Sequence, residues 1–253
     1  MPTHPAFEKI FDSQSAFSAV PPPTIAPAAL PVSAPQKSTP DRIAQAIVEG
    51  IRTRRLAVGQ RLVEADLMRD LGVGRSTVRE ALSKLAAKGV VQLIPHRGAV
   101  VRRFSEDDAH ALLEVLEVLV GLAARLAARH IDEADNRARF EATAQLLLNP
   151  RQGDELRALL DERARYYQTL FDIARSPELD AVLPTPRAHL VRSQYHARTS
   201  QADIQAMREE YASINEAILR GAAEQAERRM RRHIRKAGLR MLRGGDGLAF
   251  DRA

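Results

Sequence analysis

The sequence predicts a mainly α-helical protein built in two folded parts, three helices with a β-hairpin first and an all-helical bundle second. Three observations carry this reading. Apolar residues recur at three- and four-residue spacing through most of the chain, while β-branched runs are confined to about residues 90–101. From Ser105 onward no strand signal remains, and Ala, Leu, Arg and Glu continue nearly to the C-terminus. At 253 residues and 45% hydrophobic content, the chain is long enough to give each part its own core.

The elements follow in order. Residues 1–38 hold most of the prolines among Ala and Ser, with no periodic apolar face, and read as a disordered, partly extended arm. Thr39 is the expected N-cap of the first helix and Pro40 its first residue, followed by the stripe Ile43, Ile47, Ile51. A second helix is expected over about Glu64–Asp70, then a tight turn at Gly72. A third begins near Arg75 and stops at Lys88-Gly89, a cation followed by a residue that tolerates the left-handed conformation. The runs Val90–Ile94 and Ala99–Val101, joined by Pro95-His96-Arg97-Gly98, read as a hairpin with a basic tip that completes a first domain over 39–103. In the second domain, 104–243, helices are expected near 105–130, 134–148, 154–175, 177–198 (interrupted around Pro184 and Pro186), 201–220 and 222–242. Residues 244–253 read as a flexible tail, and no repeat of fixed period is present.

Charge is distributed unevenly. Residues 39–103 carry 13 Lys+Arg against 6 Asp+Glu, whereas 104–253 carry 23 against 24 and 1–38 carry 2 against 2. The whole positive excess of the chain therefore sits in the first domain, as expected where phosphates must be neutralised. The chain has no cysteine, which excludes disulfides and thiolate metal sites and suits a reducing cytosol. There is no run of eighteen apolar residues and no charged-then-apolar leader, so a soluble cytoplasmic protein with no membrane partner is expected. No HExxH, P-loop or GxGxxG is present and the histidines lack metal-ligand spacing, so the chain does not read as an enzyme.

The segment from Leu71 to Leu82 carries the most specific signal. On a helical wheel Val78, Ala81, Leu82 and Leu85 share one arc, and Arg75, Ser76, Arg79 and Ser83 share the other. A solvated polar face fits the same wheel. A donor-rich face following a tight turn also suits a helix that reads the major groove of DNA, because Arg donates twice to a guanine edge and a helix N-terminus favours phosphate. The surroundings favour the second reading. The run Leu56-Ala57-Val58-Gly59-Gln60-Arg61-Leu62, then Glu64-Ala65-Asp66-Leu67, Gly72 to Leu82, Leu85, Gly89 and Arg97-Gly98 resembles, in order, the N-terminal domain of the GntR family of bacterial transcription regulators. Val58 stands where that family usually has Pro, and Gly74 where it usually has Ser. The resemblance implies a winged helix-turn-helix in which Arg75, Ser76, Thr77 and Arg79 contact bases and phosphates, with a wing at His96, Arg97 and Gly98 reaching the minor groove. It further implies a homodimer on an inverted repeat of double-stranded DNA, acting as a repressor.

The helical region resembles the FCD ligand-binding domain of the FadR-type branch through Leu113-Glu114-Val115-Leu116-Glu117, the segment Tyr166-Tyr167-Gln168-Thr169-Leu170 to Pro177-Glu178-Leu179, and Tyr211 to His233. Many such domains hold a divalent metal on one Asp and three His, and the effector's carboxylate completes the coordination. Here Arg163 stands at the Asp position, Tyr167 and Tyr211 at two His positions, and only His233 is retained. A guanidinium cannot ligate a metal and neutral phenols ligate poorly, so no metal and no other cofactor is expected. Inward stripes are read as Leu160, Arg163, Tyr167, Leu170, Ala174; Met207, Tyr211, Ile214, Ile218; and Ala226, Met230, His233, Ala237. An arginine on such a stripe needs an anion. An internal carboxylate would serve, and so would a small anionic effector with Tyr167, Tyr211 and His233 as neighbours.

Other features fit more than one role. Arg187, His189, Arg192 and His196 could line the same pocket or face solvent. The basic run Arg228–Lys236 resembles a nucleic-acid patch in composition, although interleaved Met230, Ile234 and Ala237 also fit an amphipathic helix with a solvated face. A helical enzyme using His189, His196 or His233, or an architectural nucleic-acid-binding protein, are the alternative functions.

Overall fold

A computed structural model describes residues 38–95, 97–148, 155–195 and 200–242, and only the backbone of 155–160 and 201. The arm before Ser38, the tail 244–253, His96, His196 and the side chain of Leu160 lie outside what it describes. The chain divides into two compact units, Met1–Arg102 and Arg103–Ala253.

In the first unit, α1 spans Thr39–Arg52 and is capped one residue earlier than expected: Ser38 Oγ, not Thr39, accepts the Asp41 amide at 3.4 Å. Ile43, Ile47 and Ile51 are each at most 1% exposed and pack on α3, Arg75–Ala87, which buries Val78, Ala81, Leu82 and Leu85. Each fully buried side chain of this size contributes roughly 1.5–3 kcal/mol relative to exposure, so this stripe is the principal hold on the third helix. Lys84 adds ion pairs to Asp41 of α1 at 2.8 Å and to Glu80 at 3.1 Å. Between them lies α2, Glu64–Leu71, which ends on Gly72 at φ 63°, ψ 35°. That left-handed residue makes the turn into α3.

The hairpin is present as β2, Val91–Ile94, and β3, Gly98–Val101. A further strand that the sequence did not suggest, β1 (Arg61–Leu62), pairs antiparallel with β3 and makes a three-stranded sheet ordered β1-β3-β2 among the described residues. Two residues show no alternation to read, and their strand character comes from the partner. Gly98 is buried at φ 90°, and a Cβ there would run into the Leu62 carbonyl oxygen. Only glycine lets β3 lie this close to β1.

The second unit is helical throughout its described residues. The long helix α4, Glu106–Arg129, starts on a Ser105 cap with Glu106, Asp107 and Asp108 in its first turn, where acids complement the helix dipole. Its buried side is rich in alanine, and Gly121 faces the aliphatic stem of Arg231, so α10 (Ala223–Leu242) packs closely along it. Around this pair stand α5 (Asn136–Leu148), α6 (Glu155–Ala174), α7 (Pro177–Val182), α8 (Thr185–Tyr195) and α9 (Gln201–Leu219). The expected interruption falls at Leu183-Pro184 between α7 and α8, where the residue before a proline is driven out of helical geometry. Among the described residues, no helix is long and apolar enough to cross a membrane.

Candidate functional site

The first candidate surface is built by α2, the Gly72 turn and α3. Gly74 precedes α3 and offers no side-chain cap, so the first-turn amides at Arg75, Ser76 and Thr77 have no side-chain acceptor from the N-cap. Arg75, Ser76 and Arg79 are exposed and Thr77 is half-buried, opposite the apolar arc that faces α1. Glu64, at the start of α2, accepts from Arg79 Nε with both carboxylate oxygens at 3.1 Å. The Arg79 side chain is still 56% exposed, and its terminal nitrogens make no hydrogen bond among the described residues. At the wing, Arg97 is exposed and its carbonyl oxygen accepts from Arg61 Nε and Nη2 at 3.3 and 3.2 Å. Gly98 is buried, so it shapes the base of the wing. Reading the sequence did not single out Glu64 or Arg61 as members of this surface. Glu64 had only its place in a motif, and Arg61 only its place in a strand defined by pairing.

The second candidate lies inside the helical unit. Arg163 on α6 is 9% exposed; its Nη1 donates to Met207 Sδ at 3.5 Å, and its guanidinium carbon lies 5.7 Å from the ring centres of both Tyr167 and Tyr211. A thioether is a weak acceptor, Nε has no hydrogen-bond partner, and no carboxylate stands within ion-pair distance of Arg163 among the described residues. Tyr211 is 2% exposed, its hydroxyl lies 3.0 Å from that of half-buried Tyr167, and its ring packs 4.4 Å from His233. Thus Arg163, Tyr167, Tyr211 and His233 share one neighbourhood, with Tyr211 touching the other three.

Glu210 on α9 organises the far side of His233. It accepts from His233 Nδ1 at 2.7 Å and bidentately from Arg240 at 2.8 and 2.9 Å. Burial opposes its ionisation, but the bonds from His233 and Arg240 outweigh that and hold its pKa near 2. Burial pushes His233 down to about 4 despite the bond to Glu210, so its imidazole is neutral at pH 7. The ionised Glu210 takes the Nδ1 proton, which leaves the buried Nε2 as an acceptor with no partner among the described residues. Burial also raises the Tyr211 phenol well above its usual value. Protonated phenols, a guanidinium and one imidazole are a poor donor set for a divalent ion, and no cluster of three or more His, Asp or Glu suited to one occurs among the described residues.

The inward stripes also differ in detail from the sequence reading. On α6 the fully buried tyrosine is Tyr166, whose hydroxyl donates to Asn215 Oδ1 at 2.8 Å, while Tyr167 sits at the edge. Glu162 is buried as well. Arg187 reaches the Phe104 ring, 5.7 Å from its centre, and Arg192 acts on Tyr211 by charge.

Two family models match the chain: bacterial regulatory proteins of the gntR family over residues 39–101 and the FCD domain over residues 111–236. A probable D-xylose utilization operon transcriptional repressor of Paenarthrobacter nicotinovorans is 35% identical over 104 residues, 40% of this chain and 45% of the relative. An HTH-type transcriptional regulator from the TAR-I ttuE-ttuC' intergenic region of Agrobacterium vitis is 36% identical over 79 residues, 31% of this chain and 46% of the relative. The matched part thus spans just under half the length of each. The solved structure of E. coli McbR/YncC superposes with a TM-score of 0.72 at 14% identity, over 81% of this chain and 98% of that one, which shows a shared fold. With both halves matched in this order, the chain belongs to the GntR family of transcription regulators, in the FadR-type branch that carries an FCD domain.

Proposed function

We propose that this regulator is a repressor that binds an inverted-repeat operator as a homodimer and answers to a small anionic metabolite held without a metal at Arg163. One recognition helix covers only a few base pairs, and two related by a two-fold axis supply enough contacts for operator specificity. The exposed Arg75, Ser76 and Arg79, with Thr77 beside them, offer base and phosphate contacts on α3, while Arg97, together with Arg61 below it, supplies charge at the wing. The repressor reading draws on the D-xylose operon relative.

One observation carries the effector reading: Arg163 is a buried charge whose neighbours are two phenols and a thioether. An unpaired buried cation is costly, and a ligand carboxylate or phosphate would relieve that cost through charge-assisted hydrogen bonds. Effector binding then favours one dimer arrangement over another and so changes operator affinity. The test is a thermal-shift screen of organic acids and phosphates against the full chain. An anion at a hundred times its dissociation constant adds ~2.7 kcal/mol of stability. Stabilisation by an anion, in protein purified without chelator that holds no stoichiometric zinc, nickel or manganese, supports the reading. A tightly held metal ligated by His233, or a screen in which no anion stabilises the protein, overturns it.

A further inference from the structure

The outward arc of α4 is apolar where a helix on the surface of a domain is ordinarily polar. Ala111, Val115, Val118, Leu119, Leu122 and Leu126 recur at three- and four-residue spacing on the side opposite the buried Leu112, Leu116, Val120 and Ala123. Val115 and Val118 are each 51% exposed, among the most exposed large apolar residues described. A contiguous apolar stripe of this kind marks an interaction surface.

Charge on the same helix indicates what covers it. The N-terminal part of α4 carries Asp107 and Glu114 at the edge of the stripe, and the C-terminal part carries Arg125 and Arg129 at the same edge. Those arginines are anchored from inside, Arg125 by Glu227 at 3.4 Å and Arg129 by Glu224 at 3.5 Å, yet stay 36% and 46% exposed. Two copies of α4 laid antiparallel about a two-fold axis would set the acidic end of each beside the basic end of the other. A parallel pair would set like charges together, which is unfavourable. An isologous contact requires this kind of self-complementarity, because each residue i that meets j is matched by j meeting i.

We infer that the α4 stripe is the dimer interface of the helical unit, packed antiparallel against α4 of a second copy with the two-fold axis near Val118. This rests on the homodimer reading above and assigns its surface and direction. It places Val118 against its own counterpart. It also separates the two Ala111 residues by about 20 Å along the helices, at 1.5 Å of rise per residue.

Because the chain has no cysteine, single-cysteine variants of the full-length protein test this directly. Under mild oxidation Val118→Cys should form a disulfide-linked dimer and Ala111→Cys should not, since bridged Cα atoms lie within about 7 Å of each other. Cross-linking of both overturns the antiparallel direction, and cross-linking of neither overturns the interface. Sedimentation supplies the second arm. Val118→Arg should weaken dimerisation by ~100-fold or more, as expected when like charges are forced together in a desolvated contact. Val182→Arg, at a valine 60% exposed on α7, should leave dimerisation unchanged, and circular dichroism should report equal helicity for both variants. A dimer that survives Val118→Arg places the contact elsewhere while leaving the homodimer reading intact. A wild-type chain that sediments as a monomer overturns both.

Discussion

Arg79 and Arg163 show how differently the two units use the same side chain. Arg79 is 56% exposed and held at Nε by both oxygens of Glu64, whereas Arg163 is 9% exposed, with no carboxylate within ion-pair distance among the described residues. At the surface a carboxylate partner costs little and restricts a flexible cation to one orientation, which suits contact with a large ligand outside. In the interior a cation without an ion-pair partner is expensive, which suits contact with a small ligand that enters. The same contrast extends to the other titratable groups. Interior Glu210 and His233 are strongly shifted, and those of the DNA-reading surface are exposed.

Acid should therefore act first on the helical unit. Folding lowers the His233 pKa from 6.5 to about 4, so the unfolded chain takes up a proton first and stability falls as pH drops from about 6.5 towards 4. Glu210, depressed from 4.5 to about 2, contributes stability that is present above 4.5 and lost as pH falls towards 2. The shared hydrogen bond makes the two losses overlap, and the total is on the order of 3 kcal/mol. The chain has no tryptophan and all four tyrosines lie between 166 and 211, so tyrosine emission reports the helical unit. Its melting temperature should fall from pH 6.5 to 4, and His233→Gln should flatten that slope. A slope identical in the variant would assign the acid sensitivity to other groups.

Replacing surface arginines should change DNA binding and leave the interior alone. Arg75→Ala or Arg79→Ala should each weaken operator binding by roughly 1–3 kcal/mol where the arginine pairs with a base edge, with the tyrosine-reported melt unchanged. Operator binding equal to wild type in both variants would show that α3 does not read the sequence. Glu64→Gln should have a smaller effect, below about 1 kcal/mol in affinity, because it removes only the partner that orients Arg79. Its signature is reduced discrimination between operator and mismatched sites. Unchanged discrimination would reduce Glu64 to a surface ion pair without a positioning role.

Features written in local pattern were readable from the chain, and features created by a partner were not. The stripe Ile43, Ile47, Ile51, the polar face of Arg75, Ser76 and Arg79, and the turn at Gly72 each follow from spacing or from one residue's backbone freedom. The strand Arg61–Leu62 exists because β3 lies beside it, and no two-residue pattern announces that. Within α6 the adjacent Tyr166 and Tyr167 are about a hundred degrees apart on the helix. Periodicity brings both near the inward side, and tertiary packing decides that Tyr166 is the buried one. Glu210 has an ordinary place on α9, and its role comes from His233 and Arg240, 23 and 30 residues further along the chain.

Whether Arg163 answers to an anion is decided by an operator-release titration of wild type and Arg163→Met, side by side. The substitution keeps much of the side-chain volume and removes the charge. With the anion that stabilises the wild-type chain as titrant, wild type should change its operator affinity, while Arg163→Met should bind operator normally and show no response at any concentration of that anion. A titration curve for Arg163→Met that overlays wild type would refute a role for Arg163 in sensing the anion.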